Sequence, residues 1–296
     1  MKALTSTIRT PLGKRRIPRA YALSKRGQAA LVAKLHRLEY ELSLSHASHR
    51  LVGFLQIINS GFASINMSLA NCVRFVETGQ WLNIYEAEAV RTGKSGAALF
   101  RHVQRKIPKW FNRRRTIERL LRFRLDTHYA SLNVGGAGPT RYGVCCVELD
   151  PKLCEPYCTC FSGDTLRAVF DEYGTRILGD DEILEKFAAH GDIAALAAIG
   201  WSHLLSSESP AISEGLVKNA LEASDSVIEI HVHGPVYRTH VRRVVMERKD
   251  LDSLWDLTCR SERFHGRNPP QEFDAVPHFK RLLNLLEIHG IPLVTE

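Results

Sequence analysis

Leu31, Leu35 and Leu38 recur at helical spacing behind Ser24, a good N-cap, and predict a helix over 24–39. Residues 40–46 then alternate apolar and polar, which predicts a strand ending at His46. Leu51, Phe54, Leu55 and Ile58 fit i, i+3, i+4, i+7, so 49–59 reads as an amphipathic helix. Gly61 follows, placed for a left-handed C-terminal cap. Short strands are expected at 72–76, 82–85, 129–134, 142–149 and 241–246. Helices are expected at 86–106, 109–121, 164–173, 181–190, 192–205, 213–222, 249–258 and 279–288. Gly93 and Gly96 weaken the first of these and Pro108 ends it. Strands and helices interleave without a βαβ rhythm, which favours the α+β class. The expected organisation is a flexible basic arm over 1–20 and a single domain over 21–296. That domain carries a basic helical insertion at about 86–125.

One strand differs from the rest. Val227, Ile230 and Val232 are β-prone, and Gly234-Pro235 closes the run. Within it Glu229, His231 and His233 stand at i, i+2 and i+4, so all three point to one face. Charged side chains are rarely buried without partners. This face is therefore either solvated or lines a site.

The 296 residues are 44% hydrophobic and 24% charged, ordinary values for a soluble globular protein. No apolar run approaches the roughly 18–20 residues of a membrane span, so no membrane partner is expected. The first 26 residues lack the apolar core of a secretory signal. Their acid-free, Arg-, Ser- and Thr-containing composition also suits a mitochondrial transit peptide. Seven cysteines, an odd number unevenly spread, favour a reducing cytosol over a disulfide scaffold. Cys154, Cys158 and Cys160 lack the paired Cys-x2-Cys spacing of structural zinc, so no metal is expected. The loop at Gly135–Gly138 lacks the Lys-Ser/Thr of a phosphate-cradling loop.

Charge changes the picture more than composition does. Met1 to Leu38 holds ten Lys or Arg and no acid, and Arg101 to Arg124 holds ten with one acid, Glu118. These blocks carry +10 and +9 against a net of +8, so the rest of the chain sums to −11. Two basic surfaces on an acidic body are the footprint of a polyanion binder. A solubilising face or a dock for an acidic protein is the alternative. In the second block Lys109, Arg113, Arg114 and Arg115 interleave with Trp110, which would allow base stacking beside phosphate contacts.

Four motifs occur in order across residues 46–236. The first is His46-Ala47-Ser48 followed by a helix ending Ile57-Ile58-Asn59-Ser60-Gly61-Phe62. The second is Phe75-Val76-Glu77-Thr78-Gly79-Gln80-Trp81-Leu82-Asn83. The third is Tyr129-Ala130-Ser131-Leu132-Asn133-Val134, with Arg141-Tyr142-Gly143 and Gly163-Asp164-Thr165 after it. The fourth is Ile228-Glu229-Ile230-His231-Val232-His233-Gly234-Pro235-Val236. Together they resemble a family of uncharacterised bacterial proteins related to ADP-ribosyltransferases. That family carries Phe-Glu-Thr-Gly-x-Ser-Asn and Ile-Glu-Ala-Gln-Val-His-Gly-Pro-Val. Its early His-Pro-Asp-Arg segment is not evident here, and His231 stands where it has Gln.

The resemblance implies an ADP-ribosyltransferase-like split β-sandwich with N-terminal and inserted helices. It implies NAD as substrate and a mono-ADP-ribosyltransferase activity on a macromolecule. Glu229 would stabilise the oxocarbenium-like state as the nicotinamide–ribose bond breaks. His231 would hold or deprotonate the acceptor. His46 and Ser48 would hold ribose and nicotinamide, and Tyr85 or Tyr129 would stack on the nicotinamide ring. The basic blocks favour nucleic acid, single-stranded before duplex, over an acidic protein as acceptor. A non-catalytic basic nucleic-acid-binding protein and an NAD glycohydrolase are the competing readings. An enzyme of this class is expected in the bacterial cytoplasm or delivered into a target cell, as a toxin, defence protein or effector with an antitoxin or chaperone.

Overall fold

The computed structural model describes residues 19–154, 158–206, 211–222, 227–266 and 269–296, without the side chains of 153 and 154. Residues 1–18 of the expected basic arm, and the Cys154 side chain, lie outside the described part. The strands are β1 (Phe62–Met67), β2 (Gln80–Trp81), β3 (Thr127–Asn133), β4 (Cys145–Leu149) and β5 (Cys158–Ser162). They continue as β6 (Phe187–Ala189), β7 (Ile228–His233), β8 (Val236–Tyr237), β9 (Val241–Met246) and β10 (Leu293–Thr295). The helices begin with α1 (Arg19–Ser24), α2 (Gln28–Leu44), α3 (Ser48–Asn59), α4 (Leu69–Thr78) and α5 (Ile84–Thr92). Next come α6 (Gly96–Lys106), α7 (Pro108–Leu120), α8 (Pro151–Cys154), α9 (Thr165–Val169) and α10 (Asp180–Glu185). The last are α11 (Ile193–Gly200), α12 (Glu214–Glu222), α13 (Arg248–Arg263) and α14 (Ala275–Ile288).

The α+β class holds. Eight strands hydrogen-bond in one mixed sheet, in the order β10-β9-β4-β1-β3-β7-β5-β6, and β2 pairs with β8 in a small ribbon. Two stacked sheets, as a split sandwich requires, are not seen among the described residues. Every pairing in the large sheet is antiparallel except β9 with β10.

The sheet has two unlike faces because its strands alternate. Ile65, Met67, Leu132, Val147, Cys158, Cys160, Ile228 and Ile230 enter the main core with α2, α3, α4, α11 and α14. Each large aliphatic or aromatic side chain buried there stabilises by about 1.5–3 kcal/mol. The opposite face carries Ser64, Tyr129, Ser131, Glu148, Glu229 and Arg243. Register aligns Glu229 with Ser131, Ser131 with Ser64, Ser64 with Glu148, and Glu148 with Arg243. One polar row thus crosses five strands. Its far end is closed by Arg243, whose Nε and Nη2 donate to the buried Glu148 at 2.6 and 3.0 Å.

Several local expectations give way to tertiary context. Residues 40–46 are not a strand: α2 continues to Leu44. Leu38 and Leu42 are buried four apart while Tyr40 and Leu44 face solvent, a helical stripe that mimics alternation over so short a run. Residues 72–76 are helical as well, since Leu69, Cys72, Val73 and Val76 bury one face of α4. Residues 82–85 start a helix instead of a strand: the Asn83 side chain accepts from the Glu86 N–H while Glu86 answers the Asn83 N–H. Gly61 is not a left-handed cap. A Cβ there would lie 2.7 Å from Leu132 Cδ1, so glycine lets α3 run tightly into β1 beside β3.

The insertion divides into α5, α6 and α7 around a small core of Tyr85, Leu99, Val103 and Phe111. Glu88 ties α5 to α6: it accepts from Arg91 at 2.6 Å and meets His102 at 2.9 Å and Lys106. The Arg91 hydrogen bonds foremost, then Lys106, hold its carboxyl down to about 2. A folded-state pKa below the unfolded value of about 4.3 makes this contribution complete above that value. It is lost as pH falls towards 2. In wild type, Trp110 fluorescence should report loosening of the insertion between these limits. In Glu88→Gln that acid transition should be absent; an unchanged transition would exclude Glu88 as its source.

Candidate active site

A cleft of ≈ 420 Å³ opens on the polar face over β1, β3 and β7. Its floor is Ser64 and Asn66 from β1, Tyr129 and Ser131 from β3, and Glu229 from β7. Alternation puts these on one face while Ile65, Leu132 and Ile230 enter the core. Trp81 and Tyr142 add aromatic walls, and Arg114 supplies the cation among the lining residues.

Glu229 is held from two sides. The Thr165 N–H donates to its Oε2 at 3.3 Å, and the Thr165 hydroxyl donates to Oε1. The same Oε1 lies 2.7 Å from His231 Nε2. Thr165 is fixed because Asp164 caps α9, accepting from the N–H groups of Leu166 and Arg167 at 3.0 and 3.2 Å. Asp164 also accepts from the Tyr142 hydroxyl at 3.2 Å. Glu229 remains 13% exposed, enough to meet a ligand in the cleft. It is pinned by these partners before any ligand arrives.

His231 is fully buried, so it cannot hold or deprotonate an acceptor directly. Its ring packs 4.4 Å from Phe123 and 5.4 Å from Tyr129, centroid to centroid. Register explains this: Thr159, His231 and Tyr129 lie abreast on three strands, and Phe123 with Phe187 roofs them. The face of Glu229, His231 and His233 is thus neither solvent nor wholly site. Glu229 reaches the cleft, and the two histidines lie behind it.

Tyr129 is in the cleft, as expected of one of the two tyrosines, with Arg114 stacked 4.5 Å from its ring centre. Burial pushes its hydroxyl well above the ordinary tyrosine range, and the atom has no hydrogen-bond partner among the described residues. Tyr85 is not in the cleft. It is a core residue of the insertion whose hydroxyl donates to Glu118 at 3.0 Å, and burial foremost raises its pKa to about 12. His46 and Ser48 are also elsewhere: His46 is exposed in the turn after α2 and Ser48 is exposed at the start of α3, both outside the cleft. Because α2 runs on to Leu44, His46 sits in the turn after it with φ +56° and has no sheet edge beside it.

The basic triplet has inward duties. Arg114 Nε and Arg115 Nη1 donate to the buried Glu118 at 2.8 and 2.9 Å. Arg113 donates to the Glu172 carbonyl at 2.8 Å and covers the Trp110 ring at 5.2 Å. These three hold the insertion in place, which corrects the expectation that they form a free phosphate-binding face. Lys109 and Trp110 do face outward, the latter 44% exposed, and Arg101 and Arg105 are exposed on α6.

Sequence reading alone missed Ser64, Asn66, Trp81, Arg114 as a lining residue, Ser131 and Thr165. The alternation Tyr129/Ser131 was a usable signal, as was Ser64/Asn66 within an otherwise apolar run. Among the described residues no group of three or more His, Cys, Asp or Glu is arranged to hold a metal ion. No helix among them is long and apolar enough to cross a membrane. Comparison with family models, curated proteins and solved structures finds no match for this chain.

Proposed function

We propose that the chain is an NAD-dependent mono-ADP-ribosyltransferase with Glu229 as its catalytic carboxylate. The observation that carries this reading is Glu229, pinned by Thr165 and His231 at the edge of a cleft that also offers hydroxyls and aromatic rings. In this reading Ser131 hydrogen-bonds the ribose or carboxamide, Tyr129 or Trp81 stacks on nicotinamide, and Arg114 faces the pyrophosphate. The glycosidic C1′–N bond breaks with its electron pair leaving on the pyridine nitrogen, so nicotinamide departs neutral. The Glu229 carboxylate stabilises the ribose oxocarbenium left behind. An acceptor nucleophile bonds to C1′ and releases its proton to solvent.

The acceptor in this reading is a macromolecule, and nucleic acid is favoured over acidic protein. Arg101, Arg105, Lys109 and Trp110 support that choice, because exposed cations on α6 and α7 together with an exposed aromatic suit phosphate and base contacts. Activity of this kind belongs to a toxin, defence or effector setting with an antitoxin or chaperone as partner. Purified protein incubated with adenine-labelled NAD and cell extract should place label in a nuclease-sensitive fraction. Label that resists nuclease and is lost to protease moves the acceptor to protein. Free ADP-ribose alone makes the protein a glycohydrolase, and intact NAD sinks the enzymatic reading.

A further inference from the structure

Behind Glu229 the hydrogen bonds continue in one line. His231 Nδ1 lies 3.3 Å from Thr159 Oγ1. The same hydroxyl lies 2.9 Å from His233 Nε2, and His233 Nδ1 lies 3.2 Å from Thr127 Oγ1. All four residues are buried. Every polar atom in the line meets another, which is uncommon for two histidines inside a sheet and uses chemistry that packing alone does not need. We propose that His231, Thr159, His233 and Thr127 form a directional hydrogen-bond relay that sets the orientation and charge surroundings of the Glu229 carboxylate. Thr159 is its central positioning residue. The proposal rests on Glu229 being the catalytic carboxylate.

Donor bookkeeping gives the relay two consistent arrangements. With His231 neutral, its Nε2–H donates to Glu229 and its Nδ1 accepts from the Thr159 hydroxyl. Thr159 then accepts from His233 Nε2–H, and His233 Nδ1 accepts from the Thr127 hydroxyl. With His231 cationic, its Nδ1–H donates to Thr159 and the Thr159 hydroxyl donates to His233 Nε2. His233 Nδ1–H then donates to Thr127. One proton on His231 thus reverses the remaining bonds, and the His233 tautomer reports it. His233 stays neutral in both, since burial first, then His231 and Arg124, hold it down to about 3. The groups facing the pair are Glu229, Tyr129 and Arg124, with Phe123 and Phe187 filling the rest. Thr159 is central because a hydroxyl can donate and accept at once and can reverse both roles.

The test uses the full chain, with ring ¹⁵N spectra of its histidines and steady-state NAD turnover. In wild type at neutral pH, His233 should be neutral and in one tautomer. In Thr159→Val, which keeps the volume and loses the hydroxyl, both tautomers should appear. Its kcat should fall about tenfold with KM for NAD unchanged, one hydrogen bond's worth. Thr159→Ser should restore both the single tautomer and kcat. A His233 ring that averages between tautomers in wild type while the same spectra show His231 in a single charge state overturns the relay. So does Thr159→Val with wild-type kcat and an unchanged tautomer. Should wild type leave NAD intact, the enzymatic reading fails and the ring spectra alone decide the hydrogen-bond line. If Thr159→Val does not fold, the wild-type spectrum and Thr159→Ser decide.

Discussion

Glu229→Gln is expected to lower NAD turnover by roughly 10³-fold, the upper range for loss of one pre-aligned electrostatic group. The substitution keeps the volume. An amide oxygen still accepts from the Thr165 hydroxyl and His231 Nε2, so the cleft keeps its shape. What disappears is the negative charge that the proposed mechanism sets opposite the developing oxocarbenium. Its NH2 then faces the Thr165 N–H, a loss of one weak 3.3 Å bond. The urea midpoint should therefore move by no more than about 1 kcal/mol in free energy. Turnover within tenfold of wild type would show that Glu229 is not the catalytic carboxylate. A large fall in stability would instead make it a structural one.

Glu118→Ala should have the largest effect on stability, about 3–5 kcal/mol, the cost of breaking a buried ion pair from one side. Glu118 is 3% exposed and receives Arg114, Arg115 and the Tyr85 hydroxyl. Its removal leaves a buried phenol without a partner and a largely buried guanidinium without a counter-ion. The damage should reach the site, because Arg114 is also the cation stacked on the Tyr129 ring. KM for NAD should rise in the variant. Glu77→Ala is the control, since Glu77 pairs with Arg281 and both are about half exposed. It should cost under about 1 kcal/mol. Equal losses in the two variants, measured by urea denaturation, would refute a special role for Glu118.

The basic triplet shows why charge runs mislead when read along a line. Arg113, Arg114 and Arg115 stand together in a block of ten cations with one acid, Glu118. On a helix, 114 and 118 share a face, as do 115 and 118. The single acid therefore gathers two of the three arginines, and burial of Glu118 makes that pairing structural. The helical spacing was legible; the depth of Glu118 was not, because it depends on α5 and α6 folding over α7.

What the sequence determined by itself is the content of its longer periodic segments. The strand at β7, the one-sided arrangement of Glu229, His231 and His233, and β9 follow from alternation alone, and the amphipathic face of α3 from its i, i+3, i+4, i+7 spacing. Tyr129 reaches the cleft for the same reason. Tertiary structure decided which short runs become strands. Seven residues over 40–46 fit two periods, and the continuation of α2 chose the helix. It also decided depth. Periodicity fixes the face a side chain takes but not what covers that face. Phe123 and Phe187, distant in sequence, roof His231 while leaving Glu229 open. His46 and Ser48 lie outside the cleft because the sheet places β1, β3 and β7 side by side, a register set by long-range pairing that no local pattern encodes.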